Sequence, residues 1–207
     1  MSTTLTLNDP QKTARQALAD EHLLEELLEG VAPSAQKSAI REGCSKALLF
    51  LGEHHPHALL PHWEYFVGLL KSDNGFSKYV AIHVIAQLVS LDDRGRFEKA
   101  FNAYYSLLDD ESVMVACHVA GATGAIAKLR PHLQAKITRR LLDIDKTHFD
   151  ASRKALIKSY AIEALGAYFA ESGDQAKILD FVSRQLDSVS PKTRKLAKQF
   201  LKQWKAA

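Results

Sequence analysis

The chain has 207 residues, of which 46% are hydrophobic and 25% are charged, and its formal net charge is +3. This composition is typical of a folded protein and excludes a chain that is disordered throughout. Six prolines and ten glycines are too few for a loop-rich all-β fold, and the abundance of alanine, leucine and lysine favours helices.

Turn and cap signals divide the chain into predicted helices. Residues 1–12 are polar, carry the turn signal Asn8-Asp9-Pro10 and are expected to form a flexible N-terminal lead-in. Apolar residues then recur at helical spacing between breakers such as Gly30 and Pro56. The ten predicted helices cover approximately residues 13–29, 34–53, 59–70, 76–91, 94–108, 112–129, 131–144, 151–171, 175–187 and 191–204.

One stretch, DESVMVACHVAGATG at residues 110–124, has a spacing of apolar and small residues that recurs along the chain. Within it, Val115 and Val119 are expected to face neighbouring helices, and Gly121 and Gly124 to let those helices approach. The same frame returns at residues 40–48, 157–166 and 193–201. The intervals fit one helix pair about every 40 residues, which predicts a helical-repeat protein.

On these positions the chain resembles the HEAT-repeat family, from about residue 13 onwards. The family's second helix carries an Asp, a Val-Arg pair five residues later, and then Ala and Ala-Leu-Gly, which Asp110 to Gly124 and Ile157 to Gly166 match best. The resemblance implies an all-α fold, an α-α superhelix of about five antiparallel helix pairs, forming a single solenoid domain over residues 13–207. Armadillo-like packing is the nearest alternative.

The sequence also bears on the cellular compartment. Cys44 and Cys117 lie in predicted helices among apolar neighbours, which indicates packing roles in a reducing compartment. The first residues lack the basic and apolar regions of a secretory signal. No uncharged apolar run approaches the length of about 20 residues that a membrane span needs. We therefore expect a cytoplasmic protein with no membrane partner.

The candidates for a metal site are four histidines that are close in sequence: His54, His55, His57 and His62. They span a helix end, a proline turn and a new helix without a cysteine or acidic partner at ligand spacing, so a polar loop is the preferred interpretation. HEAT enzymes that bind di-iron have repeated His-Glu pairs, whereas Glu53-His54 runs the other way. No nucleophile elbow, phosphate-binding glycine loop or catalytic carboxylate pair is found. We predict no enzyme, no metal and no cofactor.

Five basic residues are predicted to lie on the concave face formed by the second helices: Arg41, Lys78, Arg153, Lys158 and Arg194. The preferred interpretation is that this face holds a protein or peptide partner and that the chain is a non-enzymatic interaction scaffold. The alternative is nucleic-acid binding, as in HEAT-like proteins that excise damaged DNA bases, because phosphates need basic residues along one groove. Ala116 interrupts such a stripe and favours the protein partner.

Two other features suggest binding. The C-terminal region contains a run of basic residues without an acid: Lys192, Arg194, Lys195, Lys198, Lys202 and Lys205. Its preferred interpretation is a solvated end cap, and its alternative is a docking site for an acidic partner. Tyr104-Tyr105 is a candidate aromatic anchor, although one of the two rings must face the core if Phe101 and Leu108 do.

Overall fold

The computed structural model describes residues 9–35 and 38–204, and all regular secondary structure in these residues is helical. Their α-helices are α1 (Pro10–Ala17), α2 (Glu21–Glu29), α3 (Ser38–His54), α4 (Pro56–Leu59), α5 (Trp63–Leu69), α6 (Gly75–Leu88), α7 (Arg96–Ser106), α8 (Val113–Leu129), α9 (Gln134–Leu142), α10 (Ala151–Tyr168), α11 (Gln175–Arg184) and α12 (Pro191–Trp204). Contacts between residues divide the chain into two compact units, the first ending at Ala103 and the second beginning at Tyr104. Each unit is described by itself.

The predicted first helix, 13–29, is two helices in the structure. α1 begins at Pro10, inside the predicted lead-in, because the Asp9 carboxylate accepts a hydrogen bond from the backbone N–H of Lys12 and proline suits the first helical position. Asp20 caps α2 by accepting from the backbone N–H of Leu23, which separates α2 from α1. Residues 1–8 of the predicted lead-in lie outside the described residues.

The helix predicted around Leu59-Leu60-Pro61 is also divided. It consists of α4, a 3-10 turn at Leu60–His62 and then α5. Pro61 has no backbone N–H and therefore interrupts the α-helical hydrogen bonds. If α1 with α2 and α4 with α5 are each counted as one divided helix, the described helices correspond to the predicted ten and form five successive pairs.

Several predicted helices end in a 3-10 turn instead of continuing as α-helix. The predicted helix 76–91, for example, is α6 followed by a 3-10 turn at Val89–Leu91, and 151–171 is α10 followed by Phe169–Glu171. Such turns tighten the last residues of a helix and satisfy some of its free carbonyls. The predictions therefore located the helices but overestimated the length of their α-helical parts.

In the first unit, α3 packs against α1, α2 and α6. Leu48 on α3 and Val80 on α6 are fully buried at the centre of this packing. The Ser77 hydroxyl donates to the backbone carbonyl of Val31 over 2.8 Å and so connects α6 to the loop after α2. Hydrophobic burial and this buried hydrogen bond together hold the first and second helix pairs in register.

In the second unit, α10 packs against both α8 and α12. A Cβ atom added to Gly124 on α8 would lie 3.0 Å from the carbonyl oxygen of Ala164 on α10, so the predicted role of Gly124 in close helix approach is confirmed. Val119, on the same helix, is fully buried, as predicted. The Thr193 hydroxyl donates to the Ala155 carbonyl over 2.7 Å and fixes α12 to α10.

Candidate partner-binding surface

Two of the predicted concave-face residues, Arg41 and Arg194, use their guanidinium groups inside their own repeat. Arg194 donates through Nη1 to the carbonyl oxygen of Ser188, over 2.6 Å. Arg41 donates through Nη2 to the carbonyl of Ala35. In both cases the acceptor lies six residues earlier, in the loop before the second helix. The two side chains therefore stabilise equivalent loops, and a partner would have to compete for them.

Lys158 is a third predicted residue with an internal role. Only 8% of the residue is exposed, and its Nζ atom lies 2.6 Å from Oδ1 of Asp145 in the connection between α9 and α10. The same ammonium group lies 5.9 Å from the centre of the buried Phe181 ring on α11. A buried ammonium group needs such partners to offset its lost hydration. Lys158 therefore connects three elements of the second unit.

The remaining two predicted residues are more accessible. Arg153 is exposed at the start of α10, where its Nε atom lies 3.6 Å from Oδ2 of Asp150. An ion pair this exposed contributes little to stability, so the guanidinium can turn to another partner. Lys78 is half-buried on α6 in the first unit. The predicted five are thus distributed over both units, and Arg153 is the most exposed of them.

Residues from three successive second helices come close together at the surface of the second unit. Gly121 is exposed on α8, and a Cβ atom added there would lie 3.3 Å from Cδ1 of Tyr160 on α10. The ammonium group of Lys192, on α12, lies 4.3 Å from the centre of the Tyr160 ring. A cation at this distance is attracted to the face of an aromatic ring. The absence of a side chain at Gly121 leaves room for the tyrosine, whose ring in turn supports the lysine.

Helical periodicity extends this arrangement along each helix. Met114 and His118 lie on the same side of α8 as Gly121, and Arg153 lies two helical turns before Tyr160 on α10. We call the surface formed by these residues the α8–α10–α12 face: Met114, His118, Gly121, Arg153, Tyr160 and Lys192. Met114 is 47% exposed and gives this face an apolar side chain.

The electrostatics of the α8–α10–α12 face follow from its partial burial. Burial lowers the pKa of His118, so its imidazole favours the neutral form. Burial raises the pKa of the thiol of Cys117, the residue before His118, to about 11, and the positive charge of Lys192 partly opposes this effect. The face therefore combines a neutral ring, an aromatic ring and the cations of Arg153 and Lys192, an arrangement able to bind an extended chain that carries both apolar and acidic groups.

No protein-family model and no curated protein matches the chain. Three solved structures do, all with 95% of this chain aligned. A designed armadillo repeat protein, YIII(Dq.V1)4CPAF, in complex with the peptide (KR)4 has a TM-score of 0.61, 16% sequence identity and 90% of its own chain aligned. The designed armadillo repeat protein YIII(Dq)4CqI has a TM-score of 0.56, 17% identity and 95% of its chain aligned. An engineered protein has a TM-score of 0.57, 18% identity and 89% of its chain aligned.

The chain has the armadillo/HEAT helical-repeat fold. The all-α, α-α superhelical class predicted from the repeat spacing is confirmed by these likenesses. Identities of 16–18% support the architecture alone. The binding residues of this repeat protein must therefore be argued from its own surface.

Tyr160 was not among the residues predicted for the concave face, and Lys192 was assigned only to the basic C-terminal run. Tyr160 could have been predicted from its spacing. It comes seven residues after Arg153, two helical turns, so both lie on one side of α10. The proximity of Lys192 to Tyr160 depends on how α10 packs against α12. The spacing of residues within one helix does not predict that packing.

The structure also shows how far the other features that the sequence suggested for binding are exposed. Tyr104 and Tyr105 are both buried, so the aromatic-anchor hypothesis is wrong. Trp63, on α5, is buried as well. In the C-terminal run Lys192, Lys195, Lys198 and Lys202 are exposed, and Lys205 lies outside the described residues.

Over residues 9–35 and 38–204, no group of three or more His, Cys, Asp or Glu side chains is arranged to hold a metal ion. His54 instead contacts the Phe50 ring, with 4.4 Å between ring centres. Within the same residues, no helix combines the length and the apolar character needed to cross a membrane.

Proposed function

We propose that this repeat protein is a non-enzymatic scaffold that holds an extended segment of a protein partner on its second helices. The single observation that carries the proposal is the contact series from Gly121 through Tyr160 to Lys192, which crosses three successive second helices at the surface. An extended peptide that crosses these helices would meet one site per repeat, which is how repeat proteins build long binding surfaces.

The binding property of one structural neighbour supports the same proposal. The designed armadillo protein with TM-score 0.61 is in complex with a peptide, (KR)4, which is basic. In this chain Arg153 and Lys192 give the α8–α10–α12 face a positive charge, so the segment we propose is acidic, with apolar groups facing Met114 and Tyr160. Within the first unit, Lys78 on α6 and Arg41 on α3 are proposed as partner contacts of their own.

Nucleic-acid binding is the second candidate and has less support. The nucleic-acid hypothesis requires a stripe of cations that are available to phosphates. Arg41, Lys158 and Arg194 each have a partner within the protein instead. Phosphates would therefore have to share three of the five cations with acceptors of the protein itself. A salt-dependent shift of labelled duplex DNA or RNA that disappears in Arg153→Ala would favour this candidate. The cytoplasmic location and the absence of enzymatic activity remain predictions from the sequence.

The proposal is tested by selecting displayed random peptides on the immobilised repeat protein and measuring a selected peptide by fluorescence anisotropy. We expect Tyr160→Ala and Lys192→Ala each to weaken binding about tenfold or more, since central aromatic and basic contacts dominate interfaces. The control is Lys146→Ala, which removes an exposed lysine of the second unit paired with Asp143 away from the face. Selected peptides that bind all four proteins equally well would contradict the proposal, as would failure to select any peptide.

A further inference from the structure

A groove with basic walls lies in the first unit, beside the first helices of two successive pairs, α5 and α7. Its volume is about 440 Å³, and the half-buried Val67 and Ala103 line it together with the buried Trp63 and Ala100. Its walls carry four basic residues: Lys71, Arg94, Arg96 and Lys99. Among the described residues that line the groove, Glu64 is the only acid. The groove therefore combines an apolar surface with a concentration of positive charge.

The loop that carries the two arginines is fixed before any ligand arrives. The Asp92 carboxylate accepts hydrogen bonds from the backbone N–H groups of Arg94, Arg96 and Phe97, at 3.3, 3.0 and 2.8 Å. Gly95 has φ +64, a conformation that glycine adopts without strain and that closes this turn. Arg96 also donates through Nη1 to the carbonyl of Leu60, 3.3 Å away. Binding to this groove thus requires little ordering of the backbone.

The positive charge of the groove is only weakly balanced by the protein. Neither Lys71 nor Lys99 forms an ion pair with a described residue, and both are exposed. Arg94 lies 3.9 Å from Asp93, but these side chains are 76% and 85% exposed, so solvent screens the pair. Because like charges near one groove repel one another, an anionic ligand would lower the electrostatic energy of the site.

We propose that this groove is a second docking site, which binds a short acidic segment of a protein partner. Carboxylates of the segment pair with Arg94 and Lys99, since guanidinium and ammonium groups are the natural partners of carboxylates. An apolar side chain between those carboxylates packs on Val67 and Ala103, which line the groove and are half-buried. The site is separate from the α8–α10–α12 face, because all of its residues belong to the first unit.

The size and chemistry of the groove favour a peptide over a nucleic acid. A volume of about 440 Å³ is within the range of about 300–1,000 Å³ that is usual for small-ligand sites, and it accommodates a few side chains. Duplex DNA carries one charge per about 1.7 Å of its axis and is bound by cations spread along its length. Here the cations surround a single pocket with the buried Trp63 beside them, and an apolar surface suits an amino-acid side chain.

The test uses the full chain and a short fluorescein-labelled peptide of alternating glutamate and leucine, with binding followed by anisotropy at low and moderate salt. We expect Lys71→Glu/Lys99→Glu to weaken binding about tenfold or more, because two attractive charges become repulsive. The matched control is Lys146→Glu/Lys177→Glu, which changes the net charge equally at exposed positions of the second unit outside the α8–α10–α12 face. It should bind the peptide within about twofold of the wild type.

Folding is checked by circular dichroism and the thermal midpoint, and Lys71→Ala/Lys99→Ala is the second variant if the charge reversal does not fold. Equal loss of binding in both charge-reversed variants would overturn the proposal, because the attraction would then be nonspecific. Unchanged binding in the Lys71/Lys99 variants would overturn it as well. A single-stranded oligonucleotide that displaces the peptide at a lower concentration than unlabelled peptide would assign the groove to nucleic acid instead.

Discussion

The ammonium group of Lys158 and the carboxylate of Asp145 are joined at 2.6 Å, the lysine buried on α10 and the aspartate on the loop before it. The lysine holds the connection between α9 and α10, and the Phe181 ring lies beside it. Lys158, which the repeat spacing predicted to be a partner-binding residue, thus forms an ion pair within the protein.

We expect Lys158→Ala to lower the free energy of unfolding by about 1–3 kcal/mol, because it removes a buried aliphatic chain and its ion pair. Lys158→Met keeps most of the chain and should lose less. Arg153→Ala, which removes an exposed cation from the same helix, should change stability by no more than about 0.5 kcal/mol. Urea denaturation measures all three. A Lys158→Ala variant as stable as Arg153→Ala would mean that Lys158 has no structural role.

Gly124 within α8 and Gly166 in the last turn of α10 should respond differently to alanine. A Cβ atom at Gly124 would lie 3.0 Å from the Ala164 carbonyl oxygen and 3.0 Å from Cβ of Ala167, so the helices must move apart. We expect Gly124→Ala to cost about 1–3 kcal/mol. At Gly166 the nearest atom, in the Phe200 ring, would be 3.6 Å away. Gly166→Ala should therefore be neutral or stabilising by up to about 1 kcal/mol.

Thermal unfolding of the two glycine variants beside the wild type makes this comparison direct. Both substitutions replace a helical glycine by alanine, which favours the helix by at most about 1 kcal/mol, so a destabilised Gly124→Ala beside an unaffected Gly166→Ala reports the packing of α8 against α10. Equal thermal midpoints for Gly124→Ala and Gly166→Ala would show that α8 and α10 can move apart without loss of stability.

The two thiols should be unreactive in the native protein. Burial raises the pKa of Cys44 and that of Cys117 to about 11 each, so at pH 8 about one thousandth of either thiol is ionised. We expect the disulfide reagent DTNB to react slowly with native protein and rapidly after denaturation. Cys44→Ala and Cys117→Ala identify which thiol reacts. Rapid modification of the native chain would show that the helices covering the thiols open readily.

The contact between Asp109 and His148 predicts an acid-dependent stability. Burial would raise the pKa of Asp109, but hydrogen bonds from the backbone N–H of His148, at 2.8 Å, and from its ring, at 2.7 Å, outweigh it and lower that pKa. A carboxyl group whose pKa is lower in the folded than in the unfolded protein stabilises the fold fully at pH values above its unfolded-state pKa, which is near 3.8. That stabilisation is lost as the pH falls through the folded-state pKa.

We therefore expect the wild type to be more stable than Asp109→Asn at neutral pH and the two to converge in acid. The measurement is the urea midpoint of both proteins between neutral pH and about pH 3. A stability difference that is constant over this range would show that the charge of Asp109 contributes nothing.

Most of the architecture could be predicted from the sequence, because apolar spacing, glycine and proline breakers and a repeat of about 40 residues are local signals. The division of the first helix was missed, since Asp20 follows apolar residues that fit a continuous helix. Its carboxylate acts as a cap only once the chain turns there. The close approach at Gly124 was predicted correctly, because a small residue recurs at that position of the repeat.

The roles of the basic residues could not be predicted in the same way. A long cationic side chain on the edge of a helix reaches either outwards to solvent or back to its own loop, and helical spacing is the same in both cases. Arg194 reaches Ser188, whereas Arg153 stays exposed. The groove near Trp63 escaped detection for a related reason. Lys71 and Lys99 are far apart in sequence and come together only through the packing of successive repeats.

The chain contains two tryptophans, and each compact unit holds one of them. Trp63 is buried in the first unit, whereas Trp204 is half-exposed at the end of α12, with its ring centre 5.0 Å from that of Phe169. Trp63→Phe and Trp204→Phe variants would therefore turn the intrinsic fluorescence into a separate reporter for each half of the array. Comparing the two emission curves during unfolding would reveal whether the repeats melt as one cooperative body or fray from the C-terminal helix first.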